Sequence, residues 1–415
     1  MGYGHQRATH PFSGVARHRI INMNSDDFTP KAEQNYWQRI LRSYEFLSRS
    51  AKVPVIGPLM QRMLNLMLRI PKPHSGNDLS RPTWQVKMLK LQIKQGLCRG
   101  VIDRIKNDPA PVITSFYAPA IAADMAGIQD VYCIICDSDL NRVWVAEKPG
   151  ESAITYFVPC EEAADRLRMY GVPEQRIILS GFPLHPELLG DVDLSVAKKD
   201  FCERIRRLQS WTRKPLQMPE FCRDEINGTT GKRKTLTIAF AVGGAGAQAE
   251  WAERLVKEMS CHPEASKIRW LLIAGIRRQV RDYFMKLKNN FPAQDLEILF
   301  EDEKNAYFDA FNSVVRKTDL LISKPSEISF YAGLGIPVLM TPPIGPQEEY
   351  NRAWLLKNQA GTDLPLKERL SDWLVERLES GDFINQAIDG YRNIEKAGYH
   401  KILRYLELKH GRPGK

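Results

Sequence analysis

Four short stretches carry residue types that could do chemistry. The richest is "LLISKPSEISFYAGLGIPVLMTPPIGPQEEYN", residues 320–351. Its first apolar run ends at Lys324-Pro325-Ser326-Glu327, and in an open α/β sheet the carboxyl ends of strands are where ligands meet side chains. Ser326 also fits a helix N-cap with Glu327 in the first turn, a purely structural use. The next run ends in a Pro-rich loop carrying Gln347, Glu348 and Asn351. An amide beside a carboxylate suits sugar hydroxyls, which donate and accept hydrogen bonds, and it equally suits a solvated polar loop. In "AFAVGGAGAQAE", Gly243, Gly244 and Gly246 stand between a strand-like run and a helix. Free amides and the positive end of a helix dipole can hold a diphosphate there. The spacing is not the dinucleotide fingerprint, and a tight βα turn would use the same small residues. At the start of the chain, "MGYGHQRATH" sets Gly2, Gly4 and His5 in a similar cluster with no strand before it. Last, "CDSDLNRVW" places Asp137 and Asp139 just after an apolar run, as acid–base groups or as carboxylates closing a turn.

These residues need elements to hold them. "HRIINMNS" reads as a strand, "NYWQRILRSYEFLSRS" as an amphipathic helix, and Thr83–Lys106 as a second long helical stretch. Then "APVITSF", "VYCIIC", "AITYFVP" and "RIILSGFP" read as strands. The helices "PAIAADMAG" and "CEEAADRLRMYG" lie among them, the latter stopped by Gly171. Lys199–Lys234 breaks the rhythm with charge, Pro and turn residues and reads as a linker. The alternation then restarts at "TLTIAFAVGG" and runs through "IRWLLIAG", "LEILFE", "TDLLISK" and "IPVLMTPP", each followed by a helical pattern, that of "PSEISFYAGLG" included. Such alternation implies two α/β domains with mostly parallel sheets. The expected division is 1–190, a linker at 191–234, a domain at 235–395, and a C-terminal helix with a basic tail at 396–415.

At 415 residues, 43% hydrophobic and 26% charged, the chain has material for two cores. Its net charge of +10 favours anionic partners such as phosphorylated metabolites or an anionic membrane surface. The stretch Val53–Ile70, "VPVIGPLMQRMLNLMLRI", is apolar but interrupted by Arg62 and Arg69. It fits an interfacial helix or one packed on its own domain. No signal peptide opens the sequence, and no run is long enough to span a bilayer. The seven scattered cysteines argue against a disulfide framework and for a reducing compartment. Cys133 and Cys136 sit inside an apolar run with no second pair at zinc-site spacing, so they read as buried thiols.

"GIPVLMTPPIGPQEEYN", with "DLLISKPSE" before it, resembles the donor-sugar site of GT-B glycosyltransferases. The likeness is to the monogalactosyldiacylglycerol synthases and the lipid-linked N-acetylglucosaminyltransferase of peptidoglycan synthesis. "FVPCEEAADRLRMYGVPEQRIILSGFPLHPELL" resembles the segment closing the N-terminal domain in that group, and "GYGHQRATHPF" the glycine-rich loop of its first βα unit. The resemblance implies a GT-B-like fold, with two Rossmann-like α/β domains facing a central cleft and the first N-terminal strand missing. It implies that Gly243, Gly244 and Gly246 cradle the donor diphosphate and that Gln347 and Glu348 hold sugar hydroxyls, with Ser326 and Asn351 beside them. Gly2, Gly4 and His5 would line the acceptor side, His5 as a base or a donor to phosphate. "GFPLH" offers His185 where the group has an arginine on the donor phosphates. The ribose-binding glutamate of the group falls on Phe330, and Glu327, one helical turn earlier, is the carboxylate left for that role. Asp137 or Asp139 would deprotonate the acceptor, with Trp144 as a platform. A metal-holding D-x-D is rejected, because the pair lies in the N-terminal half of a two-domain chain.

The activity implied is transfer of a hexosyl group from a nucleotide-diphosphate sugar, a UDP-sugar foremost, to a hydroxyl acceptor. A lipid acceptor fits the basic charge and the 53–70 stretch. Neither metal nor cofactor is expected, nor a nucleic-acid partner. The location implied is cytoplasmic, with peripheral contact on the inner face of the membrane. Two alternatives remain: a sugar-nucleotide epimerase of the same build, and a GT-B-like binding protein without turnover.

Overall fold

The computed structural model describes residues 3–17, 19–23, 27–50, 70–71, 78–213, 218–222, 234–242 and 248–411. The chain forms two compact units. The first comprises Phe12–Gly181, Gly345–Tyr350 and Tyr405–Lys415; the second comprises Met1–Pro11, Phe182–Ile344 and Asn351–Arg404.

The first unit is built on four parallel strands in sequential order: β1 (Val112–Thr114), β2 (Val131–Ile134), β3 (Ile154–Val158) and β4 (Ile177–Leu179). Every residue of β2 and β3 is buried, which is why both read as unbroken apolar runs, as strands covered on both faces do. Cys133, in β2, and Cys136, just past it, are buried and outside the disulfide, as their apolar surroundings imply.

The stretch Thr83–Lys106 is two helices, Trp84–Lys94 and Arg99–Asn107. The break follows from Gly96 at φ 108° and Cys98 at φ 68°, left-handed conformations that end a helix. Glu33, from the helix Lys31–Ser50, accepts hydrogen bonds from the amides of Cys98 and Gly100, each at 2.9 Å. It thus satisfies two donors at the new helix start. "HRIINMNS" forms no strand among its described residues, 19–23.

The second unit carries six parallel strands: β5 (Leu236–Ala241), β6 (Ile268–Gly275), β7 (Asp295–Phe300), β8 (Leu320–Ser323), β9 (Val338–Met340) and β10 (Gly361–Asp363). Their order is β10-β9-β8-β5-β6-β7. Counted from β5 this is the 3-2-1-4-5-6 arrangement, in which the winding reverses between the first and fourth strands. Here the reversal lies between β5 and β8.

The stretch read as a linker is corrected in its first half. Ser195–Gln209 is a helix that buries Phe201, Cys202, Ile205 and Leu208 in the core of the second unit, with Trp211 just beyond it. Its arginines disguise it. Arg204 is fully buried, donates to the carbonyls of Thr318 and Leu334 at 2.7 and 2.8 Å, and is pushed down by burial to about 10. Arg207 reaches the buried Asp319 at 2.8 Å, and Asp319 also accepts from the Thr237 amide. Cys202 and Cys222 form one disulfide, although the scattered cysteines argued against a disulfide framework.

"PSEISFYAGLG" is a 3₁₀ helix, Glu327–Leu334, rather than an α-helix. It ends on Gly335 at φ 72°, where an added Cβ would lie 2.2 Å from a ring carbon of Phe201. Gly335→Ala therefore combines a strained backbone with an overlap in the core. It is expected to lower stability by about 2–4 kcal/mol, read as a shifted urea midpoint.

Candidate functional site

In the second unit, the ends of three adjacent strands are tied together at the reversal point. Ser323 Oγ, closing β8, donates to the carbonyl of Ala241, which closes β5, at 3.1 Å. The Thr341 amide, just past β9, donates to the Ser323 carbonyl at 3.0 Å. Gln248 stands before the helix Ala249–Ser260 and locks its start to the same edge. Its Nε2 donates to the Pro342 carbonyl, and its Oε1 accepts from Thr341 Oγ1, both at 2.7 Å. Ala241 and Gln248, on either side of residues 243–247, are thus both held at the edge where doubly wound sheets take ligands. Gly243, Gly244 and Gly246 themselves lie outside the described residues, as does Gly2.

The N-terminal residues, expected as a loop of the acceptor-side domain, form the helix Tyr3–Thr9 within the second unit. Several contacts hold it to the carboxyl edge. The Tyr3 hydroxyl accepts from the Ile276 amide at 3.4 Å, just past β6. The Tyr3 ring also packs on Tyr307, with centroids 5.2 Å apart, in the helix Lys304–Lys317 that follows β7. Arg7 is buried, with its guanidinium carbon 4.0 Å from the Phe311 ring centroid. It donates to Glu327 Oε1 at 2.7 Å and to the Tyr307 hydroxyl. Burial works against its charge, but Tyr307, Glu327 and Tyr331 outweigh that and hold it above its ordinary value. Gly4, one helical turn before Arg7, faces the same carboxylate: a Cβ there would come within 2.6 Å of Glu327 Oε2. Gly4 and Glu327 are thus brought together. His5 is partly buried on the same helix.

Next to this helix lies a pair of histidines. His10 Nε2 is 3.0 Å from Asp309 Oδ1, and the His10 ring stacks on His185 with centroids 5.3 Å apart. His185 caps the short helix Pro186–Leu189 by accepting the Glu187 amide on Nδ1, which leaves Nε2 to carry the proton of the neutral ring. Burial, against Glu187 and with His10 beside it, lowers its proton affinity below the usual histidine value. At neutral pH His185 is therefore a hydrogen-bond donor rather than a cation.

Ser326 directly precedes the 3₁₀ helix as its N-cap but makes no side-chain capping bond. Gln347 and Glu348 lie in the first turn of the helix Pro346–Lys357, partly exposed, while Asn351 is buried. Asn351 is covered by the protein itself, which does not fit the contact with a sugar hydroxyl expected of it.

The carboxylates after β2 divide. Both oxygens of Asp139 are taken by Arg166, at 2.7 and 2.8 Å, and Oδ1 also accepts the Leu140 amide. Asp139 and Arg166 are both buried. This is a structural ion pair, and it removes Asp139 from the acid–base candidates. Around it, Arg142 donates to the carbonyls of Ser80 and Val145, and Tyr170 donates to the Leu140 carbonyl at 2.9 Å. The loop is thereby rigid and presents Asp137, partly exposed, at the carboxyl end of β2. Trp144 is no open platform. It is buried edge-on against Tyr117 and Phe116, at 5.3 and 6.2 Å.

Two all-parallel α/β units, one wound about a reversal point, settle the fold class. Both are α/β units with all-parallel sheets. No family model matches the chain, and no curated protein matches its sequence. Among solved structures, MurG of Acinetobacter baumannii aligns over 86% of this chain and 89% of its own at 13% identity, TM-score 0.47. The UDP-GlcNAc 2-epimerase of Neisseria meningitidis bound to UDP-GlcNAc aligns over 82% and 84% at 14% identity, TM-score 0.46. An S. aureus MnaA–UDP co-structure aligns over 80% and 84% at 11% identity, TM-score 0.49. Likenesses of this degree carry no argument about substrate or reaction.

Arg7, His10, Tyr307 and Asp309 went unread in the sequence. A signal for Arg7 was present: Gly4, Arg7 and Ala8 are the buried residues of the first helix, at helical spacing. Reading "YGHQRAT" with that period puts a cation behind the glycine.

Proposed function

We propose that this protein transfers a hexosyl group from a nucleotide-diphosphate sugar, a UDP-sugar foremost, to a hydroxyl acceptor. The observation that carries the reading is Glu327, a carboxylate four residues past the end of β8, the strand that meets β5 at the reversal point, and held there by Arg7. A sugar nucleotide asks for a carboxylate acceptor for the ribose hydroxyls and for amides for the diphosphate.

In this reading the amides of Gly243, Gly244 and Gly246 and the Nε2–H of His185 hold the diphosphate. Ser326 and Glu327 take the nucleoside, and Gln347 and Glu348 the sugar hydroxyls. Asp137 accepts the acceptor's hydroxyl proton. The acceptor oxygen bonds to the anomeric carbon as the bond from that carbon to the diphosphate oxygen breaks, and the nucleoside diphosphate leaves with the electron pair. Its developing charge is stabilised by amide and imidazole donors.

Incubation with a panel of UDP-sugars, with and without lipid extract, tests this. Acceptor-dependent release of UDP is the expected result. An isomerised sugar nucleotide with no UDP release points instead to epimerisation, and binding without turnover to a receptor.

A further inference from the structure

Glu327 is a two-oxygen group of which the described residues use one. Oε1 accepts from Arg7, whereas Oε2 has no hydrogen-bond partner among the described residues. It faces the place where Gly4 lacks a side chain, 2.6 Å from where a Cβ would stand. The Arg7 guanidinium is itself immobilised by the Phe311 ring and the Tyr307 hydroxyl. A fork held on two sides fixes a carboxylate in direction as well as in charge.

We propose that Arg7 is a positioning residue that sets nucleotide specificity. It takes Oε1 of Glu327 so that Oε2 is aimed at a ribose hydroxyl, and Gly4 leaves that oxygen its space. The inference rests on the sugar-nucleotide reading and deepens it: a segment at the start of the chain decides whether the site distinguishes a ribonucleotide from its deoxy analogue. A hydrogen bond from a hydroxyl to an ionised acceptor supports about 10–100-fold discrimination.

The test is calorimetric binding of UDP and of 2′,3′-dideoxyuridine diphosphate to the full chain and to Arg7→Met, Arg7→Lys and Gly4→Ala. The natural protein is expected to prefer UDP by about 10–100-fold. Arg7→Met should bring that ratio to within about threefold of unity, Arg7→Lys should restore part of it, and Gly4→Ala should lower it with the ion pair in place. A merely structural Arg7 would weaken both nucleotides together and leave the ratio alone. If Arg7→Met does not fold, Gly4→Ala supplies the same readout. Unchanged ratios in every variant that folds overturn the role of Arg7. A natural protein that binds both nucleotides equally overturns the ribose role of Glu327 while the nucleotide reading stands. One that binds neither overturns that reading and this inference with it.

Discussion

Asp139→Asn is expected to lower the stability of the first unit by about 3–5 kcal/mol and to leave UDP affinity unchanged. The variant keeps a side chain of the same shape but removes the charge opposite Arg166, whose guanidinium is as buried as its partner. Removing one member of a buried ion pair leaves the other charge desolvated and uncompensated, and that penalty exceeds what the pair contributed over an apolar core. Burial opposes the Arg166 charge, and its bonds to Asp139 sustain it. The measurement is the urea midpoint together with UDP titration of the folded variant. A variant as stable as the natural protein but catalytically dead would return Asp139 to the chemistry.

The second large effect falls two residues earlier. Asp137→Asn is expected to slow transfer by about 10²–10⁴-fold, the usual range for a lost general base, with stability and UDP affinity kept. Asp137 shares the loop that Arg142, Arg166 and Tyr170 hold in place through Val145, Asp139 and Leu140. Initial rates at saturating donor, compared with the urea midpoint of the same variant, separate the two aspartates: one changes stability without rate, the other rate without stability. Rates within tenfold of the natural protein would show that the proton goes elsewhere, and His5 and His10 are then the next groups to replace.

The contrast also shows what the sequence could and could not say. β2, β3, β5, β6 and β8 were legible because largely buried strands read as apolar runs, broken only at Thr155, Thr237, Arg269 and Ser323. β10 was not, since Gly361-Thr362-Asp363 pairs through backbone alone, with Gly361 close against the Val338 carbonyl. The helix Ser195–Gln209 was hidden by buried arginines, which a reading by polarity assigns to solvent. Glu327 could be set at the carboxyl edge because the junction of a strand with the helix after it marks that edge. The ion pairs could not: nothing local says that Asp139 meets Arg166, that Glu327 meets Arg7 across 320 positions, or that Cys202 meets Cys222. The same physics corrects Trp144, whose indole is spent on Phe116 and Tyr117.

A crystal structure of the full chain with a bound UDP-sugar decides where the donor sits. The diphosphate is expected just past β5, the ribose within hydrogen-bond distance of Glu327 Oε2, and Arg7 still on Oε1. A nucleotide bound away from the β5/β8 edge, or a ribose that leaves Glu327 untouched, would contradict that expectation.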